Sequence, residues 1–282
     1  MHGTLGEDGH LSGGALGAGE RSWIAELLDL ERLDGDVFVA REPEGANNDG
    51  RLFGGLIAAQ SLSAACSTLE DPAKRPQSLH LYFVRGGRPG VDVEMTVERT
   101  RDGRSFDTRR VTAVQEGVVI LEMLASFHVP EDGADTHPPA ERWLSVAEAS
   151  PVELPPSMGE HFEFRLPGER PHVFDGPPHW IRMITPVEDD PIIRACALTY
   201  MSDMGLMMAS RPPMTAALPG NFMVASLDHS VWFHRPFVPD HWHRYQTRSL
   251  NNNDARGLAI GGFYDTSGVL VASMSQEALW RV

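Results

Sequence analysis

Asp203 lies in YMSDMGLMMAS, a segment of helical spacing in which it shares the apolar face with Tyr200, Met204 and Met207. A carboxylate turned toward a core needs hydrogen-bonding partners; the alternative is a rotated helix on which Asp203 is solvated or serves as a cap. Gln276 is a second misfit. In the strand-like GVLVASMSQEALW it stands in one row with Leu270, Ala272, Met274 and Ala278, where an unpaired amide costs about 1–3 kcal/mol. Ser226 shares a strand face with Phe222 and Val224, although a small buried serine alone means little. A carboxylate, an amide and a hydroxyl from one helix and two strands could converge on an acid–base site. Other candidates are weaker. Asp228 and His229 look like half of a dyad, but neighbours on a strand point to opposite faces and are not expected to couple. His241 and His243 share a face without a third ligand at suggestive spacing, so no metal is expected. Gly-x-Ser-x-Gly is absent, which removes a serine nucleophile on a strand-to-helix elbow.

The elements that must position these residues can be read from periodicity. Residues 1–20 contain seven Gly and read as a flexible tail. A helical pattern starts at Ser22, with Trp23, Ile24, Leu27 and Leu28 on one face, and a strand-like VFVARE follows. RLFGGLIAAQSLSAACSTL, residues 51–69, reads as a buried helix opened by the pair Gly54-Gly55, which permits close backbone approach. From Ser78 the period changes to two, and four strands follow, the last two joined at a Glu116-Gly117 hairpin. Residues 131–180 hold nine of the 21 prolines and read as a Pro-rich linker between modules. Beyond it a helix over Leu198–Ser210 and four more strands repeat the order.

The repeat has internal markers. Phe83 and Arg85 match Phe233 and Arg235; Arg104 and Arg256 follow 19 and 21 residues after those arginines, and Gly117 and Gly268 come 13 and 12 later. The expected fold class is therefore α+β, with two tandem modules at 21–130 and 181–282, each a curved antiparallel sheet around a central helix. By the repeat, Asp203 falls near Gly54 or Gly55, Gln276 near Ser126 and Ser226 near Ser78. The first copy lacks the buried carboxylate and amide, so the polar set belongs to one module rather than to the fold.

Composition excludes several classes. Over 282 residues, 41% hydrophobic and 22% charged content is that of a globular chain. The net charge of −15 argues against nucleic acid as a partner, and Lys74 is the single lysine among 24 basic residues. No apolar run approaches the ~20 residues of a membrane span, and no signal peptide is expected. Cys66 and Cys196 form no metal-ligand spacing, which with the C-terminal Trp280-Arg281-Val282 favours the cytoplasm.

At RLFGGLIAAQSL, SLHLYFVRGG, ERTRDGRSFDTRRVTAVQEG, ASFHVPE, YMSD, SLDHSVWFHRPF, ARGLAIGGFYD and GVLVASMSQE the chain resembles the acyl-CoA thioesterase II (TesB-like) family, from about Ser22 to the C-terminus. The resemblance implies two hotdog domains in one chain, hydrolysis of fatty acyl-CoA to free fatty acid and CoA, no cofactor, and a homo-oligomer. It also implies that Asp203, Ser226 and Gln276 act together, Asp203 as general base toward water and the other two holding water and carboxylate in register. Backbone N–H groups at Gly54 and Gly55 are oxyanion-hole candidates, and Arg101, Arg104, Arg109, Arg110 and Arg256 are candidates for CoA binding. Leu56, where relatives often carry Gln, and Val84-Arg85-Gly86-Gly87 depart from the pattern in the first module. A catalytically silent acyl-CoA-binding protein is the alternative function. A same-fold hydratase would need a histidine beside the helix aspartate, and YMSDMGLMMAS has none.

Overall fold

A computed structural model describes residues 16, 19–41, 50–138, 143–167, 178–213 and 223–281. Most of the expected tail thus lies outside the described residues, as does Phe222. In the first module α1 (Trp23–Leu27), β1 (Glu31–Arg32) and β2 (Val37–Ala40) precede α2 (Gly54–Cys66), and β3 (Arg75–Phe83), β4 (Val93–Asp102), β5 (Phe106–Gln115) and β6 (Val118–His128) follow. The second module begins with β7 (Ser150–Pro151), α3 (Pro156–Gly159), β8 (Phe162–Leu166) and β9 (His179–Met183). It continues through α4 (Pro191–Ser202), α5 (Leu206–Ala209), β10 (Met223–Ser226), β11 (Asp228–Phe233), β12 (His243–Asn253), β13 (Arg256–Tyr264) and β14 (Leu270–Arg281).

These strands make one antiparallel sheet in the order β1-β2-β4-β5-β6-β3-β11-β14-β13-β12-β9-β8-β7, with β10 also on β14. The two modules meet at β3 and β11, in a register symmetric about His80↔Ser230: Tyr82 faces Asp228 as Ser78 faces Trp232. The duplication is equally visible in the chain bends. The Val84 and Arg85 amides share Ile120 O, and the His234 and Arg235 amides share Val271 O. Glu116 and Gly117 take φ of 48° and 78°, as a two-residue hairpin turn requires.

The proline-rich segment 131–180 is more than a linker. Pro155 and Pro156 punctuate it, but β7, β8 and the start of β9 lie within it and extend the second sheet. These strands of two to five residues are too short for a periodic signal. Phe162, Phe164 and Leu166 point alternately into the core, and His161 stacks on Trp23 of the first module at 3.9 Å.

The second-module helix also differs from expectation. It starts earlier, at Pro191, because Asp190 accepts the Ile192 and Ile193 amides as an N-cap and proline suits the first helical position. It stops at Ser202, because Gly205 at φ 102° turns the chain before α5. Helix α2, apolar on nearly every side, is buried almost throughout. Its glycine pair meets the end of α4: a Cβ on Gly55 would stand 2.4 Å from Tyr200 O, and one on Gly54 would stand 2.7 Å from Asp203 Oδ2. Gly55→Ala should therefore destabilise the fold by about 1–3 kcal/mol, the usual cost of overpacking. Gly133→Ala, with nothing within 4 Å, should leave the urea midpoint unchanged; equal midpoints for the two variants would contradict this account.

Candidate active site

Asp203 is the residue that closes α4, and its side chain enters the N-terminus of α2. The N-cap of α2 is Phe53, which offers no side-chain acceptor. The Asp203 carboxylate supplies one from the other module, accepting the Gly55 amide; a helix N-terminus favours an anion by its unpaired N–H groups and its dipole. On the sheet side the Gln276 Nε2 donates to Asp203 Oδ1 at 2.9 Å and to Ser226 Oγ at 2.6 Å. Both amide hydrogens are thereby committed. Gln276 is fully buried and Asp203 is 9% exposed, while Ser226 is half-buried.

The convergence depends on a bulge. Ser226 pairs with Ala278 and Ser230 with Ser275, so three residues on one strand span two on β14. Leu227 and Asp228 form the irregularity, and Asp228 accepts the Glu277 amide at 2.7 Å. The extra residue breaks the strand alternation. It is the reason that Ser226 and His229, three apart, both reach the environment of Gln276. Asp228 and His229 were not expected to couple, and among the described residues no hydrogen bond joins them: Asp228 takes the Glu277 amide and His229 turns to α4. His229 is fully buried and its Nε2 lies 2.7 Å from Ser202 Oγ.

The internal comparison holds to within a residue or two for Gln276 and Ser226 and is corrected for Asp203. Phe83↔Leu121 in the first module matches Phe233↔Ala272 in the second, so Gln276 corresponds to Ala125 and Ser226 to Pro76. Asp203 does not correspond to Gly54 or Gly55, which open α2 whereas Asp203 closes α4. The glycine pair contacts Asp203 instead of replacing it, and the Gly55 amide favours its anion. The Gly54 amide makes no hydrogen bond among the described residues.

Nor are the five arginines equivalent. Arg109 is fully buried, and its guanidinium is used by Thr68, Asp102 and the Arg101 and Thr108 carbonyls; it braces the first module and cannot meet a phosphate. Arg110 pairs with Glu122, and Arg256 with Asp254 and Glu277. Arg101 and Arg104 are exposed on or beside the β4–β5 hairpin, without an ion pair among the described residues. Leu56 is buried in the core, and Gly87 packs on Leu52, whose amide donates to Gly87 O. Among the described residues no group of three His, Cys, Asp or Glu could hold a metal ion, and no helix is long and apolar enough to cross a membrane.

Two family models cover most of the chain: the acyl-CoA thioesterase N-terminal domain matches residues 43–128 and the C-terminal domain residues 130–280. The chain belongs to the acyl-CoA thioesterase family. Acyl-coenzyme A thioesterase 8 of Rattus norvegicus is 32% identical, over 92% of this chain and 88% of the relative. The crystal structure of acyl-CoA thioesterase II TesB2 from Mycobacterium marinum superposes with a TM-score of 0.79 at 35% identity, covering 92% of this chain and 98% of that one. A protein with the hot dog fold from Alicyclobacillus acidocaldarius, at 19% identity and a TM-score of 0.72 over 93% of this chain and 99% of that one, agrees in fold. The double hotdog architecture implied by the resemblance is thus the fold of this family member.

Burial pushes the Asp203 carboxyl from its ordinary 3.8 up to about 7, against the bonds from Gln276 and Gly55 that favour the anion. The folded state therefore prefers the protonated acid. The contribution of this one group to stability is most favourable below pH 4, falls as pH rises from about 4 to 7, and above 7 is a constant penalty of up to about 4 kcal/mol. Asp203→Asn, which cannot ionise, should be more stable than the parent at pH 8 by a few kcal/mol, roughly that penalty less the lost acceptor. At pH 4 it should gain nothing. Urea denaturation at the two pH values checks the sign, and a variant less stable at pH 8 than the parent would refute it.

Proposed function

We propose that this family member hydrolyses acyl-CoA thioesters with a water activated at Asp203, yielding a carboxylic acid and the free thiol of CoA. The reaction is that of its family; the residue roles are the proposal. Water must be oriented, lose a proton as it attacks the thioester carbonyl, and leave an oxyanion that is stabilised until the C–S bond breaks. A carboxylate held near 7 is suited to take that proton at neutral pH. Ser226 Oγ, bonded to the same amide nitrogen as Asp203, would hold the water, and Gln276 would keep hydroxyl and carboxylate in register. The proton taken by Asp203 then passes to the leaving thiolate. The Gly54 amide at the α2 N-terminus is the remaining oxyanion donor of the pair. For the CoA phosphates, Arg101 and Arg104 are the candidates whose charge is not already neutralised, while Arg256 would have to exchange Glu277 for phosphate.

The observation that carries this reading is the bridge from Asp203 through Gln276 to Ser226, in a carboxylate pocket built from both modules. A fatty acyl group as substrate, a cytoplasmic location and a homo-oligomer belong to the same proposal; the buried free thiols of Cys66 and Cys196 support a reducing compartment.

Thiol release from a panel of acyl-CoAs tests the activity. kcat should rise with pH to a plateau above about 7, and Asp203→Asn should lower it at least about 100-fold with acyl-CoA affinity kept. Parent-like kcat in that variant would remove Asp203 as the base, and no turnover of any acyl-CoA by the parent would favour the silent binding protein. Ser226 separates two mechanisms. As a water ligand it should tolerate Ser226→Thr and lose part of kcat in Ser226→Ala, without an acyl-enzyme. A stoichiometric acyl adduct on Ser226, seen by intact mass after quenching with a slow substrate, would establish a nucleophile instead.

A further inference from the structure

Gln276 can perform its bridging role in only one of its two amide orientations. With Nε2 toward Asp203 and Ser226 it donates twice; flipped, it would set Oε1 against the Asp203 carboxylate. Nothing in the Asp203–Ser226 pair itself prevents a flip when Asp203 is protonated, because a protonated acid can donate to Oε1. The selecting contact must come from the other end of the amide. There, Gln276 Oε1 and His229 Nδ1 are both buried side-chain atoms without a hydrogen-bond partner. They belong to neighbouring strands: the pair next to Ser230↔Ser275 sets His229 opposite Gln276, near enough for the amide to favour the charged form of the ring.

We infer that His229 is a positioning residue for hydrolysis, donating from Nδ1–H to Gln276 Oε1 and thereby fixing the amide that holds Asp203 and Ser226. This rests on the reading of Asp203, Ser226 and Gln276 given above. The tautomer this requires is one that Ser202 permits. Its hydroxyl has one hydrogen and two acceptors in reach, Thr199 O at 2.8 Å and His229 Nε2 at 2.7 Å. Directed at Nε2, it leaves the ring proton on Nδ1, so one neutral imidazole satisfies both orphaned atoms. Burial lowers the His229 pKa to about 4, and the ring stays neutral wherever Asp203 is ionised. Tyr245 Oη donates to Ser202 O and secures the far end of this relay. The order is thus Tyr245 and Ser202, His229, Gln276, and then Asp203 with Ser226. An outer partner that orients a site residue in this way commonly changes activity about 10–100-fold when removed.

Three variants separate positioning from packing. His229→Asn keeps an amide donor near the place of Nδ1, His229→Gln moves it outward toward the place of Nε2, and His229→Phe keeps the ring and removes the donor. The expected result is a kcat within about 3-fold of the parent for Asn and about 10–100-fold lower for Gln and Phe, each with KM for acyl-CoA retained. The acidic limb of kcat should also move to higher pH in Gln and Phe, because Asp203 loses a bond that favours its anion; Tyr200 and Tyr245, the other titratable groups facing Asp203, are pushed upward by burial and remain neutral. Equal kcat for Asn and Gln, or a loss in Phe without movement of the limb, would overturn the inference. If Phe does not fold, the Asn and Gln pair decides it alone. Asp203→Asn serves as the control: parent-like activity there sinks the hydrolytic reading itself, whereas an inactive Asp203→Asn beside unaffected His229 variants sinks only the positioning role.

Discussion

Everything in the site is referred to one junction, where the carboxylate ending α4 accepts an amide from the start of α2. An anion buried this deeply is costly, and the helix N-terminus and the Gln276 amide are what make it tolerable. The same junction fixes the helix pair. The glycine pair removes the side chains that would hold the two backbones apart, so Gly54 and Gly55 are demanded by the carboxylate and by the Tyr200 carbonyl together. Tyr200 in turn is locked between Phe53 at 4.9 Å and Phe162 at 5.8 Å, which leaves α4 little freedom to withdraw Asp203. The buried carboxylate and the packing of the two modules are one structural problem with one solution.

The sheet solves a second problem. A regular strand would send Ser226 and His229 to opposite faces, and only one of them could meet Gln276. The irregularity at Leu227 and Asp228 breaks the alternation without opening the ladder, because Leu227 still bonds Glu277 O and Asp228 replaces a backbone acceptor for the Glu277 amide. Backbone polar groups remain paired while two side chains are re-aimed.

What was legible in the sequence follows from this. The three polar misfits stood out because each broke a period that its neighbours obeyed, and the duplication gave the fold because two copies repeat the same bends. The β7–β9 segment was read as linker, since a two-residue strand and two five-residue strands among prolines carry no period. The place of Asp203 beyond the helix end escaped because Asp190 and Gly205, which set the helix limits, act through a cap and a left-handed turn outside the apolar face. His229 was weighed only as a partner for Asp228; that it shares the surroundings of Gln276 with Ser226 depends on a bulge, which is a departure from alternation. Arg109 looked like its charged neighbours, although Thr68 and Asp102 enclose it; only the packing tells a structural guanidinium from an available one.

The asymmetry of the two modules shows why a symmetric architecture carries one such site. The first module answers Gln276 with Ala125 and Ser226 with Pro76, an apolar side chain and a residue without an N–H, so the symmetry-related position is built for packing alone. Yet this silent copy is not a passenger. It contributes the Gly55 amide and the Gly54 surface against which Asp203 rests, and Phe83 stands at the same glycine. A second buried carboxylate at the related position would bring another desolvation penalty, and Gln276 has no counterpart there to offset it. With one copy supplying the charged groups and the other the helix terminus that accepts them, the fold bears the cost of a buried acid once.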